Sequence, residues 1–342
     1  MTEQHFLVTG GAGFIGSHLV DRLVRDEMGK VTVVDSLYRG SLTHLTGCED
    51  RIHFLQEDIR DEAALRVAMT SADVVFHLAA QSNVLGAESD SHYAISTNVL
   101  GTNNVLRIAR ESGVRRVVFT SSREVYGDVA SLPVAESAPL RPKNAYGASK
   151  VAGEAYCWSF QRAGLDIVVL RLANVYGPRD SNRVIPIFLH NCRMGEPLVV
   201  YGGSQITDFV WIEDVVDSLV RAAVLPPLPE PINVGSGVGI SILALAELTL
   251  DLIRSDSSLQ IVPARSLETC RFVADISRMG AHLGVTPSNR FAERLLELRD
   301  WYATRGYRPG LPQRVMGKPT CDAKPKGENE QLELNRLEST MS

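Results

Sequence analysis

The sequence lacks most of the features that mark metalloproteins, membrane proteins and nucleic-acid-binding proteins. Its five cysteines are scattered and odd in number, and neither they nor its eight histidines show the spacing of a metal site. No apolar run approaches the roughly 20 residues of a membrane-spanning helix, and residues 1–5 show no secretion-signal pattern. The net charge of −5 gives no electrostatic reason to expect a nucleic-acid partner. We therefore expect a protein of the reducing cytoplasm that uses no metal, membrane or nucleic acid.

The composition is that of an ordinary globular protein. The 342 residues are 44% hydrophobic and 22% charged, which suits one large domain or two smaller ones. Short apolar segments near residues 5–8, 31–34, 52–55, 73–80, 115–122 and 167–172 alternate with helical patterns. This alternation predicts a doubly wound parallel sheet, in which ligands bind at the carboxyl ends of the strands. Residues 313–342 are polar and are predicted to form a tail.

A glycine-rich loop joins the first predicted strand to a helix. Residues 9–16 read TGGAGFIG, with a G-x-x-G-x-x-G spacing one residue longer than the usual dinucleotide-binding loop. Gly10 permits a tight turn, Gly13 lets a pyrophosphate approach the backbone, and Gly16 lets the helix pack closely on its strand. Phe14 and Ile15 belong to the same predicted cofactor site. Taken alone, the loop is also compatible with an ordinary turn.

The end of the second predicted strand favours NAD as the cofactor. Asp35 stands 19 residues after Gly16, where a carboxylate accepts hydrogen bonds from an adenosine ribose and repels the 2′-phosphate of NADP. Asp58, followed by Ile59, is a candidate for the adenine edge, but it is as readily an ordinary strand-end or N-cap aspartate. Further cofactor contacts are predicted after the fourth strand and in the next long helix, at Leu78, Ala79, Ala80 and Asn98.

A tyrosine and a lysine stand together near the start of a helix predicted at about 146–163. Tyr146 and Lys150 are four residues apart, so a helix presents both on one face. The ammonium favours the phenolate and should lower the pKa of the tyrosine from about 10, which would make it a general base near neutral pH. Such a pair by itself is usually two surface residues. Here, the fifth strand ends at Ser122, Arg123 and Glu124, where these sheets place reactive groups.

Seven motifs, in order, resemble those of the extended short-chain dehydrogenase/reductase family, in its NAD-dependent epimerase/dehydratase branch. They lie within residues 5–305 and are 9–16 (TGGAGFIG), 77–80 (HLAA), 121–127 (SSREVYG), 146–150 (YGASK), 171–179 (RLANVYGPR), 208–215 (DFVWIEDV) and 273–277 (VADIS). The resemblance implies a Rossmann domain that binds NAD, and a smaller C-terminal α/β domain that binds a nucleotide-sugar, most simply a UDP-sugar. We assign residues 1–172 and 208–232 to the first domain, and residues 173–207 and 233–312 to the second. The family also leads us to expect a homodimer, paired through the helices near 94–112 and 146–163.

The same resemblance implies residues that hold the substrate. Asn174 matches a residue that contacts it near the diphosphate, and Arg265 matches an arginine that binds the diphosphate. Relatives often carry a further phosphate-binding arginine where this chain has Thr207. Binding of the substrate diphosphate is therefore expected to depend more on Arg265, Arg271 and a helix N-terminus. Alternatively, the head group of the substrate lies in a different position.

The Ser/Thr-Tyr-Lys catalytic set of the family falls on Ser122, Tyr146 and Lys150. In a sugar 4-epimerase, Tyr146 takes the proton of the 4-hydroxyl while Ser122 hydrogen-bonds that oxygen. Lys150 lowers the tyrosine pKa and holds the nicotinamide ribose. NAD accepts the C4 hydride and returns it to the opposite face after the 4-keto sugar has turned over.

Three alternatives stay open. A 4,6-dehydratase usually carries an Asp-Glu pair after the catalytic hydroxyl residue, and here the Asp position is Arg123, which cannot donate a proton usefully near pH 7. A uronate decarboxylase often shows Ser-Glu at these positions. Glu124, as an additional acid or base, is consistent with this alternative, whereas Arg123 argues against it. A non-catalytic NAD-binding regulator would keep the fold but often loses the Tyr or the Lys, and both are present here.

The arginines bear on the sugar. Arg123, Arg179 and Arg183 could lie near the sugar pocket, and arginine pairs well with a carboxylate. A uronic acid such as that of UDP-glucuronate is therefore a candidate substrate beside UDP-glucose. The competing reading is that Arg179 and Arg183 are surface or structural residues.

Overall fold

The computed structural model of the protein describes residues 3–305 except 182, 229, 266 and 268. Within this part of the chain the strands are β1 (His5–Thr9), β2 (Lys30–Val34), β3 (Ile52–Leu55), β4 (Val74–His77), β5 (Arg116–Ser122), β6 (Asp166–Leu172), β7 (Asn174–Tyr176), β8 (Leu198–Tyr201), β9 (Ile206–Trp211), β10 (Ile232–Val234), β11 (Gly239–Ser241) and β12 (Leu259–Val262). The α-helices there are α1 (Phe14–Arg25), α2 (Glu62–Ala68), α3 (Val84–Ser89), α4 (Ser91–Ile95), α5 (Thr102–Glu111), α6 (Ala145–Arg162), α7 (Val184–Met194), α8 (Ile212–Val224), α9 (Ile242–Ile253) and α10 (Phe291–Thr304).

Seven of the described strands form one parallel sheet in the order β10-β6-β5-β4-β1-β2-β3. Helices cover both faces, so the central strands are continuous apolar runs rather than alternating ones; every residue of β5 is buried. The predicted doubly wound fold is confirmed. The strand order reverses between β1 and β4, and a ligand crevice is expected outside the carboxyl ends of those two strands.

The chain after Leu172 builds two small sheets. Strands β11, β9 and β7 form one, and β12 pairs with β8 in the other. Around them, Tyr176 packs edge-on against Trp211 and Phe291, both with ring centroids 5.2 Å away. The chain then returns: α8 packs against α1, and β10 extends the large sheet beside β6. All described residues fall within one compact unit, so the division into two domains stays a prediction.

The structure interrupts the single helix predicted near 94–112. Between α4 and α5, Ser96–Gly101 form a wider π-helical turn. Gly101 lies against Ile59, where an added Cβ would come within 2.6 Å of a side-chain carbon. The short elements α2, α3, β7, β11 and β12 were not predicted, because a few residues carry too little periodicity to be recognised. The predicted tail, 313–342, lies outside the described residues.

Among the described residues, no helix combines the length and apolar character that crossing a bilayer requires.

Candidate active site

One cavity brings together almost all of the predicted site residues. It has a volume of about 700 Å³ and lies at the carboxyl ends of β1, β2, β4 and β5, with further walls from β7, β8 and β9. The predicted residues in its lining are Gly10, Gly13, Phe14, Ile15, Gly16, Asp35, Asp58, Ile59, Leu78, Ala79, Ala80, Ser122, Arg123, Glu124, Tyr146, Lys150, Asn174, Arg179, Arg183 and Arg265.

The glycine loop has the geometry of a pyrophosphate cradle. Gly10 has φ +75°, in the left-handed region, and a Cβ there would lie 2.7 Å from the backbone nitrogen of Ala79. A Cβ on Gly13 would approach only the oxygen of Gly10, at 3.2 Å, among the described residues, so its outer side is open. Helix α1 begins directly after Gly13 without a side-chain cap. The free N–H groups of its first turn therefore suit an anion in the cavity.

Gly16→Ala is expected to lower NAD affinity by at least about tenfold and the unfolding free energy by about 1–3 kcal/mol. The added Cβ would lie 2.1 Å from the oxygen of Gly10, so the loop and α1 must move apart. Titration calorimetry with NAD and denaturant unfolding measure the two effects. Gly280→Ala is the control, because a Cβ there meets no described atom within 4 Å. Unchanged NAD affinity in Gly16→Ala would rule out this role of the loop.

Asp35 is placed to receive a ribose. Its Oδ2 accepts from the N–H of Ala12 at 2.9 Å, and its Oδ1 accepts from the N–H of Leu37 at 2.8 Å. Burial raises the pKa of this carboxyl, and the backbone hydrogen bonds oppose that shift. Because a carboxylate offers about four acceptor positions, these two hydrogen bonds do not exhaust its capacity to accept from ribose hydroxyls. The cradle and Asp35 together fit NAD.

Four more of the predicted cofactor residues line the same cavity beside Asp58. They are Ile59, Leu78, Ala79 and Ala80. Asp58 is not an N-cap, since α2 is capped by Asp61; instead it accepts hydrogen bonds from Arg60 at 2.9 and 2.6 Å. Burial raises the pKa of Asp58, but those hydrogen bonds leave it below its ordinary value.

The structure does not place Asn98 in the cavity lining. Its Oδ1 accepts from the N–H of Gln81 at 2.7 Å, and its Nδ2 donates to the oxygen of Gln81 and to Ser149 Oγ. The π-helical turn directs the amide to these partners, so Asn98 joins α6 to the segment after β4. The predicted cofactor contact of Asn98 stays a prediction.

Ser122, Tyr146 and Lys150 meet at the floor of the cavity. Asn144 brings Ser122 and Tyr146 together: its Oδ1 accepts from the N–H of Gly147 and caps α6, while its Nδ2 donates to Glu124 at 2.8 Å. Ser122 lies beside Tyr146, and its hydroxyl acts to lower the pKa of the phenol. One helical turn on, Lys150 Nζ donates to the backbone oxygen of Thr120 at 2.8 Å.

Burial dominates the titration of this set. It raises the pKa of Tyr146, and the neighbouring hydroxyl of Ser122 opposes that shift. It also lowers the pKa of Lys150 to about 8. The prediction that Lys150 brings the phenol pKa below 10 is therefore wrong for the protein by itself. Lys150 Nζ lies 6.0 Å from the Tyr146 ring centroid, and desolvation is the largest influence on the phenol pKa.

A buried ion pair that was not predicted from the sequence supports β5, the strand that ends at Ser122. Glu154 and Arg171 are joined by two hydrogen bonds of 2.9 and 2.6 Å, with side chains 0% and 2% exposed. Glu154 also accepts from Ser121 Oγ at 2.5 Å, next to the catalytic Ser122. Arg171 donates further to Tyr126. The available signal was a glutamate one turn after Lys150 and an arginine inside an apolar strand.

Arg123 and Glu124 form a second pair at the end of β5. Arg123 Nη2 lies 2.9 Å from Glu124 Oε1, and Arg123 Nε donates to Asn174 Oδ1 at 2.8 Å. The other oxygen of Glu124 accepts from Asn144 and from Thr269 Oγ1, at 2.8 and 2.9 Å. Glu124 is therefore held by three side chains in a fixed position.

The other predicted arginines have distinct partners. Arg179 pairs with Asp21 of α1 at 2.7 Å, so the structural reading of this residue is favoured. Arg183 donates to the oxygen of Val175 at 3.1 Å and lies over the Phe14 ring. Arg183 nevertheless acts on Tyr146, whose pKa its charge helps to lower.

Only some of the residues expected to bind the substrate diphosphate line the cavity. Thr207 is buried in the cavity wall and carries no charge. Arg265 lines the wall with its guanidinium 3.7 Å from the centroid of the Tyr201 ring. Arg271 is exposed and does not contribute to the described lining, because its segment bridges the start of β9 instead.

Two of the charged cavity residues that were not predicted have a pKa that burial shifts. Asp180 is 3% exposed, and burial raises its pKa to about 6 against the field of Arg183, 3.6 Å away. Arg39 donates to Ser82 Oγ at 3.1 Å, and burial lowers its pKa. Neither position has a sequence signal beyond its closeness to a motif.

Comparisons with known proteins agree with this geometry. The model of the NAD-dependent epimerase/dehydratase family matches residues 6–235. A UDP-glucose 4-epimerase of Mycolicibacterium smegmatis is 35% identical over 309 residues, 87% of this chain and 98% of the relative. A dTDP-glucose 4,6-dehydratase of an Actinoplanes species is 33% identical over 309 residues, 86% and 97% of the two chains. The crystal structure of the UDP-glucose 4-epimerase of Thermotoga maritima with UDP-glucose superposes with a TM-score of 0.85 at 30% identity, covering 89% of this chain and 100% of that one.

Similar relatives also include UDP-glucuronic acid decarboxylases of Arabidopsis thaliana, at 32% identity. Epimerases, dehydratases and decarboxylases therefore all occur among the similar relatives, and the cradle with Asp35 fits NAD, which similar solved structures contain. The chain is an enzyme of the NAD-dependent epimerase/dehydratase family.

Proposed function

We propose that the protein is a nucleotide-sugar 4-epimerase, which inverts C4 by transient oxidation to a 4-keto sugar. The observation that carries this proposal is that Ser122, Tyr146 and Lys150 line one cavity, with Lys150 fixed by its hydrogen bond to Thr120 one helical turn after Tyr146. A hydroxyl, a phenol and an ammonium in this arrangement can remove a proton from a sugar hydroxyl and return it.

Each residue has a defined task. Burial raises the pKa of Tyr146 in the protein by itself, so its phenolate form would depend on the positive charge of bound NAD. In that form Tyr146 takes the proton of the 4-hydroxyl, and Ser122 Oγ holds the oxygen that loses it. Lys150 keeps a positive charge near the phenolate and has Nζ hydrogens beyond the one given to Thr120 for a ribose hydroxyl. Bound NAD supplies the acceptor and donor of the C4 hydride. The protein keeps the 4-keto sugar in the cavity until its opposite face is presented.

The structure supports epimerisation over dehydration at position 123. A 4,6-dehydratase needs an acid there to protonate the leaving 6-hydroxyl, and a guanidinium does not supply that proton near neutral pH. Glu124 does not replace it, since Arg123, Asn144 and Thr269 hold both of its oxygens.

The substrate is proposed to be a UDP-sugar, with UDP-glucuronate and UDP-glucose as the candidates. Arg265 and Tyr201 form a stacked, positively charged wall that suits a nucleoside diphosphate. We also propose a homodimer, since α4, α6 and the π-helical turn expose Ile95, Leu100, Tyr156 and Trp158, between 38% and 55% of each residue.

A panel of UDP-, dTDP- and GDP-sugars, including uronates, tests the reaction type. Products are identified by NMR. We expect a C4 epimer of one UDP-sugar, with no net consumption of NAD. Release of CO₂ would favour the decarboxylase, and a 4-keto-6-deoxy sugar the dehydratase. Either product would contradict the proposal.

A further inference from the structure

The guanidinium of Arg123 has hydrogen-bonding capacity that the protein does not use. Arginine carries five N–H donors in a planar fork. Nε donates to Asn174 and Nη2 pairs with Glu124. Nη1 is buried and has no hydrogen-bond partner among the described residues. A buried charged group with unmet donors is rare, because such a nitrogen loses its hydration without replacement.

Pairing with Glu124 does not account for this arginine. Two neutral donors, Asn144 and Thr269, already hold the other oxygen of Glu124. The guanidinium is instead held at Nε and Nη2, while its Nη1 has no hydrogen-bond partner among the described residues. Arg123 also lines the cavity, with 12% of its side chain exposed. Nη1 itself is covered, so contact with a ligand requires the guanidinium to turn toward the cavity.

The neighbouring residue relates Arg123 to the sugar. Arg123 directly follows Ser122, which in the proposed reaction holds the oxygen on C4. In a hexose the exocyclic C6 is two bonds from C4, so a group on C6 lies within reach of residue 123. A carboxylate there matches an unpaired guanidinium nitrogen, since charge-assisted hydrogen bonds between them are strong.

We propose that Arg123 selects a uronic acid by binding the C6 carboxylate of the sugar through Nη1. This inference rests on the proposed function, because it needs the C4 oxygen at Ser122. Arg123 is then a specificity residue: it distinguishes a nucleotide-linked uronate from the matching hexose and takes no part in the proton transfer.

The test measures binding of UDP-glucuronate, UDP-glucose and UDP by calorimetry with NAD present, in a Tyr146→Phe background that prevents turnover. With Arg123 intact, we expect UDP-glucuronate to bind about 10- to 100-fold more tightly than UDP-glucose. Adding Arg123→Met should abolish this difference and change the affinity for UDP-glucose by less than about threefold. Arg66→Met, which removes a surface arginine paired with Glu111, should leave the preference intact.

Three results would overturn the inference while the epimerase proposal stands: equal affinity for both sugars with Arg123 intact, a preference that survives Arg123→Met, or equal weakening of both sugars. If Arg123→Met fails to fold, Arg123→Lys decides, since it keeps the charge but not the fork and should lose most of the preference. An unchanged preference in that variant also overturns the inference. Failure of both sugars and UDP to bind, with NAD binding intact, would overturn the proposed function and the inference together.

Discussion

Tyr146→Phe is expected to lower kcat by about 100- to 10,000-fold, the range that a positioned general acid–base group contributes. The substitution removes only the phenolic oxygen, so the ring still packs in the wall of the cavity. The loss should therefore appear in kcat, with little change in NAD affinity or unfolding free energy. Initial rates of C4 inversion by NMR, together with NAD titration, measure both.

Tyr156→Phe is the matched control. Tyr156 lies on the same helix, α6, and is 38% exposed, so its hydroxyl has no expected role in the reaction and kcat should not change. If Tyr146→Phe kept the wild-type rate or function, the chemistry would not depend on the phenol. The alternative of a non-catalytic NAD-binding regulator would then be favoured.

Glu154→Ala is expected to lower the unfolding free energy by about 3–5 kcal/mol. It leaves the guanidinium of Arg171, whose side chain is 2% exposed, without a counter-charge. Against a typical total of about 5–15 kcal/mol, such a loss brings the protein close to unfolding at physiological temperature. Denaturant unfolding followed by circular dichroism measures it.

Two control variants show how much of the loss in unfolding free energy is due to the burial of the Glu154–Arg171 pair rather than to the removal of a charge. Glu230→Ala removes the partner of Arg278 at an exposed site and should cost no more than about 1 kcal/mol. The double substitution Glu154→Leu with Arg171→Met should recover much of the loss, since it replaces both buried charges by apolar groups. A cost below about 1 kcal/mol for Glu154→Ala would show that the pair does not hold the fold together.

The parts of the site that could be predicted are those encoded within one short segment. Gly10, Gly13 and Gly16 lie in one loop between a strand and a helix, and Asp35 ends the adjacent strand, so the parallel fold alone brings them to one edge. Tyr146 and Lys150 are related by one helical turn. For these residues, local pattern and global fold give the same answer.

The parts that could not be predicted depend on contacts between distant segments. Glu154 and Arg171 belong to different elements, and nothing in the spacing of either one shows that they meet. The sequence also does not show that Asn98, in the π-helical turn, hydrogen-bonds with Gln81 and Ser149. Burial likewise reversed the expected direction of the Tyr146 pKa, because the degree of desolvation is a property of the folded protein.

Reversible oxidation at C4 is tested most directly by following deuterium at that carbon. The best substrate of the panel is prepared with deuterium on C4 and incubated with the enzyme and NAD in ordinary water, and the product is examined by NMR. Because the same hydride leaves and returns within one turnover, the C4 epimer should retain the label at C4. Loss of the deuterium to water during inversion would contradict oxidation and re-reduction at C4.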